Sequence, residues 1–440
     1  MKKRTWLIAF SLLVLCLLLS ACTGDGELQP SDTTEDPGVA ERDPQLSHLH
    51  RYGADDVCEI CDAKFEDEGL QFVFNGNGGY VISDYVGDSA YVYIPTAYKG
   101  VPVVSIGEGA FDYRSDIIRV VMSHTIVAIE DSAFMGCKAM ESISLSQSLQ
   151  SIGQSAFSGC ESLQSVEIPD SLKEIGNSAF ARCLNLSSIT FGKNVETIGK
   201  YAFRNCGKLV SITLPSKIDS ISELTFENCG SLKQINIPGN VKEIKYSAFA
   251  YCDQLDGVVF QNGLERIGEQ AFIGCSGMTD ITFSNTIKEI GNLAFVECTG
   301  LKNVYVNDLA AWCGIKFMSN VSTPFYYADN LYLNGKLVVD LVIPEGVTSI
   351  SGFAFYDCNN LESIYLPDSL KTVGVHAFRT CDSLREIRFG KNVKSIGKAA
   401  LNECPALEVI RYAGSLEAWN KISKAGNEVP RGAERIYEEE

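Results

Sequence analysis

Histidine is scarce in this 440-residue chain, with four in all, and only His124 and His376 lie outside a short N-terminal cluster. Each of those two stands alone in the sequence, which leaves little for acid–base catalysis or metal chemistry. No Gly-x-Ser-x-Gly elbow, paired-carboxylate glycosidase signature or phosphate loop occurs. The glycines of Asn75-Gly76-Asn77-Gly78-Gly79 have no helix after them and no lysine placed to help, so they read as a hairpin turn. Carboxylates are many but scattered, as on solvated faces. These absences speak against an enzyme and against a catalytic cofactor.

Basic runs are lacking too. The net charge is -18, and it deepens to −21 once Lys2, Lys3 and Arg4 are set aside with the leader described below. Such a chain repels phosphate, so nucleic acid is excluded as a partner. Anionic headgroups are excluded for the same reason, and any membrane attachment is covalent or hydrophobic. Long apolar runs are absent apart from Leu7 to Leu19, which falls short of the ~20 residues of a comfortable spanning helix.

The N-terminus has a different use. Lys2-Lys3-Arg4, the apolar run and then Leu19-Ser20-Ala21-Cys22 follow the order of an exported leader. The last four residues resemble a bacterial lipobox, which implies removal of residues 1–21 and a lipid thioether on Cys22. The other reading is an ordinary signal peptide that contains a cysteine. With ~0.8 kcal/mol per buried CH₂, two or three acyl chains would hold the chain firmly. The expected location is the extracellular face of the bacterial cell membrane, lipid-anchored, with the membrane itself as one partner. Residues 22–47 hold Pro30, Pro37 and Pro44, several acids and almost no large apolar groups, which reads as a disordered linker.

Residues 48–66 contain His48, His50, Cys58 and Cys61. Two histidines and a Cys-x-x-Cys pair can complete a tetrahedral zinc site, and four protein ligands would make it structural. The segment resembles the zinc-ribbon-like knuckles that precede repeats in exported clostridial proteins. A Cys58–Cys61 disulfide, or free thiols beside solvated histidines, is the competing reading. Residues 67–104 alternate as strands around the hairpin signal and read as an N-terminal β cap.

What the sequence has in abundance is a period of 23 residues. Phe111, Phe134, Phe157, Phe180, Phe203, Phe226, Phe249, Phe272 and Phe295 mark it, and Phe355, Phe378 and Leu401 resume it after a break. Cysteine follows three residues later in eleven units, from Cys137 to Cys404. A fixed period of this length means a solenoid, in which neighbouring units bury the faces that none can bury alone. In one unit, Val166-Glu167-Ile168 alternates as a short strand that Pro169 ends. Leu172 and Ile175 form a second extended piece, and Gly176 turns the chain. Asn177 or Ser178 then caps a one-turn helix carrying Ala179, Phe180 and Cys183. The cysteines read as a buried spine of small side chains rather than as disulfides, because their Cβ vectors run parallel.

Leu163, Val166, Ile168, Pro169, Leu172, Ile175, Gly176, Ala179, Phe180 and Cys183 in this order resemble the BspA-like leucine-rich repeats of bacterial surface proteins. The likeness runs over roughly residues 85–437. It implies an α/β, β-rich solenoid of about 13 coils, with repeats over 105–307 and 334–410 and a C-terminal cap over 411–440. A cap-like insertion over 308–333 separates the two blocks, since Leu309-Ala310-Ala311-Trp312 recurs as Leu416-Glu417-Ala418-Trp419. The resemblance also implies recognition or adhesion, with an extracellular protein or glycan as partner. A passive spacer or envelope-structural role is the alternative, and an enzyme the third.

Candidate ligand contacts are the outward strand positions, expected on a concave sheet. They are Ser165 and Glu167, Ser188 and Thr190, Ser211 and Thr213, Gln234 and Asn236, Asp280 and Thr282, and Asn303 and Tyr305. Small hydroxyls that merely suit a tightly spaced sheet are the bland reading of the same pattern. The run Phe325-Tyr326-Tyr327 in the insertion is a second candidate, because tyrosine favours interfaces; its bland reading is packing of the inserted cap.

Overall fold

The structure is a computed structural model, and it describes residues 69–424 and 432–438. Cys22 with its leader and linker, and the set His48, His50, Cys58 and Cys61, lie outside the described residues.

The chain winds into a β-solenoid of about 15 turns, close to the expected count. Strands of three or four residues, such as Ser165–Glu167 and Ser188–Thr190, stack in parallel into a broad sheet. Two-residue strands, such as Glu174–Ile175 and Thr197–Ile198, stack into a narrow sheet on the other wall. The strands are this short because each coil must turn back within 23 residues. At the N-terminal end, Leu70–Phe74 pairs antiparallel with Tyr80–Tyr85, which then joins the narrow sheet. The Asn75 carboxamide accepts from the N–H groups of Asn77 and Gly79 and closes the turn between them.

The segment that joins the two walls is not the helix expected there. Ser178 and Arg182 sit at φ 56° and 62°, in the left-handed region. The same two positions recur with positive φ along the array, for example at Tyr201 and Asn205 or Leu224 and Asn228. The reason lies in the hydrogen bonds. The N–H groups of Ser178, Phe180 and Arg182 turn toward the next coil and donate to the carbonyls of Lys200, Ala202 and Arg204 at 2.7–2.8 Å. A helix would spend them within its own turn. The segment instead forms a third ladder between coils, and left-handed residues aim alternate N–H groups along the solenoid axis. Asn205 and Asn228 suit this conformation, whereas Arg182, Tyr201 and Leu224 adopt it at a cost in strain.

Inside, the phenylalanines stack ring on ring from Phe111 to Phe295, with centroids 4.8–5.8 Å apart. All are almost fully buried. Offset stacking adds ~0.5–1.5 kcal/mol per pair to the burial of each ring. The ladder cysteines are buried free thiols. All but Cys358 donate to a carbonyl of the preceding coil, for example Cys183 to Phe157 and Cys206 to Phe180, both at 3.2 Å. Cysteine is thus small enough for the core and still satisfies an acceptor that alanine would leave under-bonded.

Strand pairing lapses at several points along the walls, and both walls are interrupted together after residue 337. The segment 308–333 completes a coil, with register partners Asn303 and Asn330 27 residues apart: Lys316–Phe317 extends the narrow sheet, and Asn330–Leu333 extends the broad one. Its helix α1 (Leu309–Gly314) is capped by Asp308, whose carboxylate accepts from Ala310 and Ala311. A tight hairpin at Asn334-Gly335 then turns Lys336–Leu337 back antiparallel and ends the first block. Asp340–Val342 starts a second broad sheet without pairing to the first. The core crosses the break, and hydrogen bonds linking α1 to Ser351 and Ala354 go with it. Trp312 packs against Phe283, Phe317 and Phe325, and so replaces the phenylalanine stack. Helix α2 (Leu416–Lys421) repeats the device at the C-terminal end, with Trp419 against Phe389 and Tyr412. Among the described residues, no helix is long and apolar enough to cross a membrane.

Candidate ligand-binding face

Strand pleat decides which side chains face outward. In Ser165–Glu167 the middle residue, Val166, is buried and its neighbours are exposed. Because the stacking is parallel and in register, outward residues form two rows along the broad sheet. Ser165 pairs with Ser188 and Glu167 with Thr190; Ser211 pairs with Gln234 and Thr213 with Asn236. Asp280 pairs with Asn303 and Thr282 with Tyr305. The predicted strand residues therefore do share one face. Those from Ser165 to Asn236 are exposed, and the four from Asp280 to Tyr305 are half-buried.

The half-burial has a cause. The Asn330 carboxamide donates to Asn303 Oδ1 at 3.0 Å, and that of Asn303 donates to Asp280 Oδ1 at 2.9 Å. Beside this ladder Tyr305 stacks on Tyr332, with centroids 4.8 Å apart. Burial pushes the Asp280 carboxyl up, but hydrogen bonds from Thr279, Asn303 and Tyr305 outweigh it and hold the group below its usual range. Burial, with the bond to Asp280, pushes the Tyr305 phenol up. Asn330 and Tyr332 escaped the sequence reading because the 23-residue count misplaces them. A 27-residue coil restores them to the rows.

The second candidate surface is corrected in part. Phe325 is only 1% exposed and packs on Trp312, so it is core and not a contact residue. The aromatic needed to fill the gap in the phenylalanine stack claims it. Tyr326 is exposed, and the Tyr327 hydroxyl accepts from the Glu297 N–H at 3.0 Å. Beyond the break, charges on the broad sheet pair among themselves. Arg411 bonds Glu386, and Arg388 bonds Glu438 while lying over the Tyr365 ring, 4.8 Å from its centroid.

His376 stacks on Phe353, and burial, with Arg379 and Lys398 nearby, lowers its pKa. Among the described residues, no cluster of three or more histidines, cysteines or carboxylates has the arrangement of a metal site.

The repeat, its two walls and its phenylalanine core together match the family described as BspA type leucine rich repeat region, in six copies over residues 104–230, 196–320 and 328–424. The chain belongs to this family. A solved leucine-rich repeat structure shares its fold. A leucine-rich repeat protein from Bacteroides ovatus is 24% identical with a TM-score of 0.56, over 85% of this chain and 100% of that one. A leucine rich cell surface protein from Faecalibacterium prausnitzii is 22% identical with a TM-score of 0.38, over 83% and 98% of the two chains. The pneumococcal vaccine antigen PcpA is 18% identical with a TM-score of 0.42, over 84% and 91%. No curated protein matches the chain.

Proposed function

We propose that this BspA-type repeat protein is a recognition protein of the bacterial surface, held to the membrane by lipid on Cys22. In this reading it binds an extracellular protein or glycan through the broad sheet, in adhesion, and it carries out no catalysis. The observation that supports binding is the make-up of the two outward rows. From Ser165 to Asn236 and from Asp280 to Tyr332, on either side of Gly257 and Val259, they present hydroxyls, carboxamides, two carboxylates and a tyrosine pair, on a scaffold whose repeated apolar residues are committed to the core. Rigid scaffolds that vary only on one face are suited to recognition.

The test uses the full-length chain displayed on cells, with adherence to host matrix and host cells as the readout. Changing Ser211, Thr213 and Tyr305 together to Ala, Ala and Phe is expected to abolish adherence at unchanged surface level. Changing Cys22 to Ser is expected to release the chain from the membrane fraction. Adherence no better than that of cells without the chain would favour a spacer.

A further inference from the structure

The residue that ends each broad-sheet strand is proline in many coils: Pro169, Pro215 and Pro238 before the break, and Pro344 and Pro367 after it. In the four consecutive coils that lead up to the break it is Gln261, Ser284, Asn307 and Asn334, at the same register position. Proline offers no side-chain hydrogen bond; these four offer donors and acceptors. The next residue along also changes character. In two pairs of neighbouring coils elsewhere it carries paired charge, Asp170–Lys193 at 3.1 Å and Asp368–Lys391 at 3.9 Å. Here it is Asn262 and Asn285, and Asp308 is occupied in capping α1.

All these residues line one cleft of about 610 Å³ at the break between the two blocks, over a floor that includes Phe283 and Leu309. No lysine or arginine lines it. Thr282, at its edge, is the register partner of Tyr305 and so adjoins the stacked tyrosines.

We infer that this cleft binds a neutral oligosaccharide, a reading that rests on the surface-recognition role proposed above. A sugar ring presents an apolar C–H face and a rim of hydroxyls that both donate and accept. Carboxamides do both as well, and an apolar floor beside an aromatic pair suits the ring face. An anionic ligand would find no cation, and a cationic one would find only the carboxylate already bonded to Ala310 and Ala311. Ser123 and Ser146 hold the same position near the N-terminal end, but only next to the break do four coils in succession carry amide or hydroxyl there, and the core does not require it.

Calorimetric titration of the full-length chain with neutral hexasaccharides of glucose, mannose, galactose and xylose tests the assignment. At least one is expected to bind with a Kd of about 1 mM or tighter. Asn285→Ala with Asn307→Ala is expected to weaken that binding about ten-fold or more at unchanged melting temperature. Glu174→Ala with Thr197→Ala, exposed on the narrow sheet away from the cleft, is expected to leave it intact. Binding untouched by the Asn285/Asn307 change overturns the assignment. Adherence to host cells with none of the four sugars bound overturns it too, and leaves surface recognition standing. A protein partner whose footprint covers Asn285 and Asn307 also overturns it.

Discussion

The Trp312 indole Nε1 donates to the Ala354 carbonyl at 2.9 Å, across 42 residues of chain. Beside it the Ser351 N–H donates to the Cys313 carbonyl at 2.8 Å. These bonds cross a break at which neither wall of the solenoid is continuous. One buried tryptophan thus couples two blocks that sheet pairing would elsewhere join.

Removing that side chain should uncouple them. Trp312→Ala deletes a fully buried ring and strands the Ala354 carbonyl, at ~3–5 kcal/mol. In a repeat array the loss falls on one interface term. We expect urea unfolding to split from one transition into two, with the block that contains Phe355 and Phe378 melting separately. Trp312→Phe keeps most of the packing but not the donor, and should cost ~1–3 kcal/mol without a full split. A single transition with an unchanged midpoint in Trp312→Ala would contradict this coupling.

The cysteine ladder makes stability depend on pH. Burial pushes the Cys183 and Cys229 thiols up to about 12 from an ordinary 9.0, and it raises Cys206, Cys252 and Cys275 in the same direction. A folded-state pKa above the unfolded one gives stability that is complete below pH ~9 and lost as pH rises toward the folded value. The unfolded chain releases protons there that the folded chain keeps. We expect the urea midpoint to be flat from pH 7 to about 8.5 and to fall steadily from 9 to 10.5. Alkylation at pH 8 should label the ladder only after denaturation. A midpoint that rises above pH 9, or rapid native labelling, would contradict the buried-thiol arrangement.

Much of this architecture was legible because packing repeats. Phe180, Cys183, Leu172 and Ile175 recur at one spacing for one reason, the shared core, so period alone predicts walls and stacking. The turn segment was not legible, because spacing cannot distinguish a helical turn from left-handed residues that bond forward: Ser178 and Tyr201 look equally acceptable in either. Phe325 was misjudged for a related reason. An aromatic run reads as a surface until one knows that Trp312 leaves a space for one ring. The row through Asn303 and Tyr305 was visible, but its continuation to Asn330 and Tyr332 was hidden by four extra residues. The strand-ending change at Gln261, Ser284 and Asn307 was there to be read as lost prolines. Its meaning needed the fold, which alone shows those positions converging on a cleft.

The glycine before each turn offers a test of how closely coils approach. A Cβ built on Gly176 would stand 2.6 Å from the backbone carbonyl carbon of Gly153 in the preceding coil, and one on Gly199 2.5 Å from the Asn177 nitrogen. Neither glycine has a positive φ. Their role is therefore close packing of backbone on backbone, not turn geometry. The neighbouring atoms belong to main chain held in three ladders, and they cannot swing aside as a side chain would. Gly176→Ala must separate two coils locally, and we expect a loss of ~1–3 kcal/mol, the usual range for overpacking. Gly207 is the internal control. A Cβ there meets nothing within 4 Å. Gly207→Ala should be neutral or should stabilise by ~0.4–1 kcal/mol through the unfolded chain. Urea midpoints of the two variants, measured side by side, check the argument. Equal effects, or a tolerated Gly176→Ala, would show that the coils have room to part and that the glycine spacing reflects something other than contact.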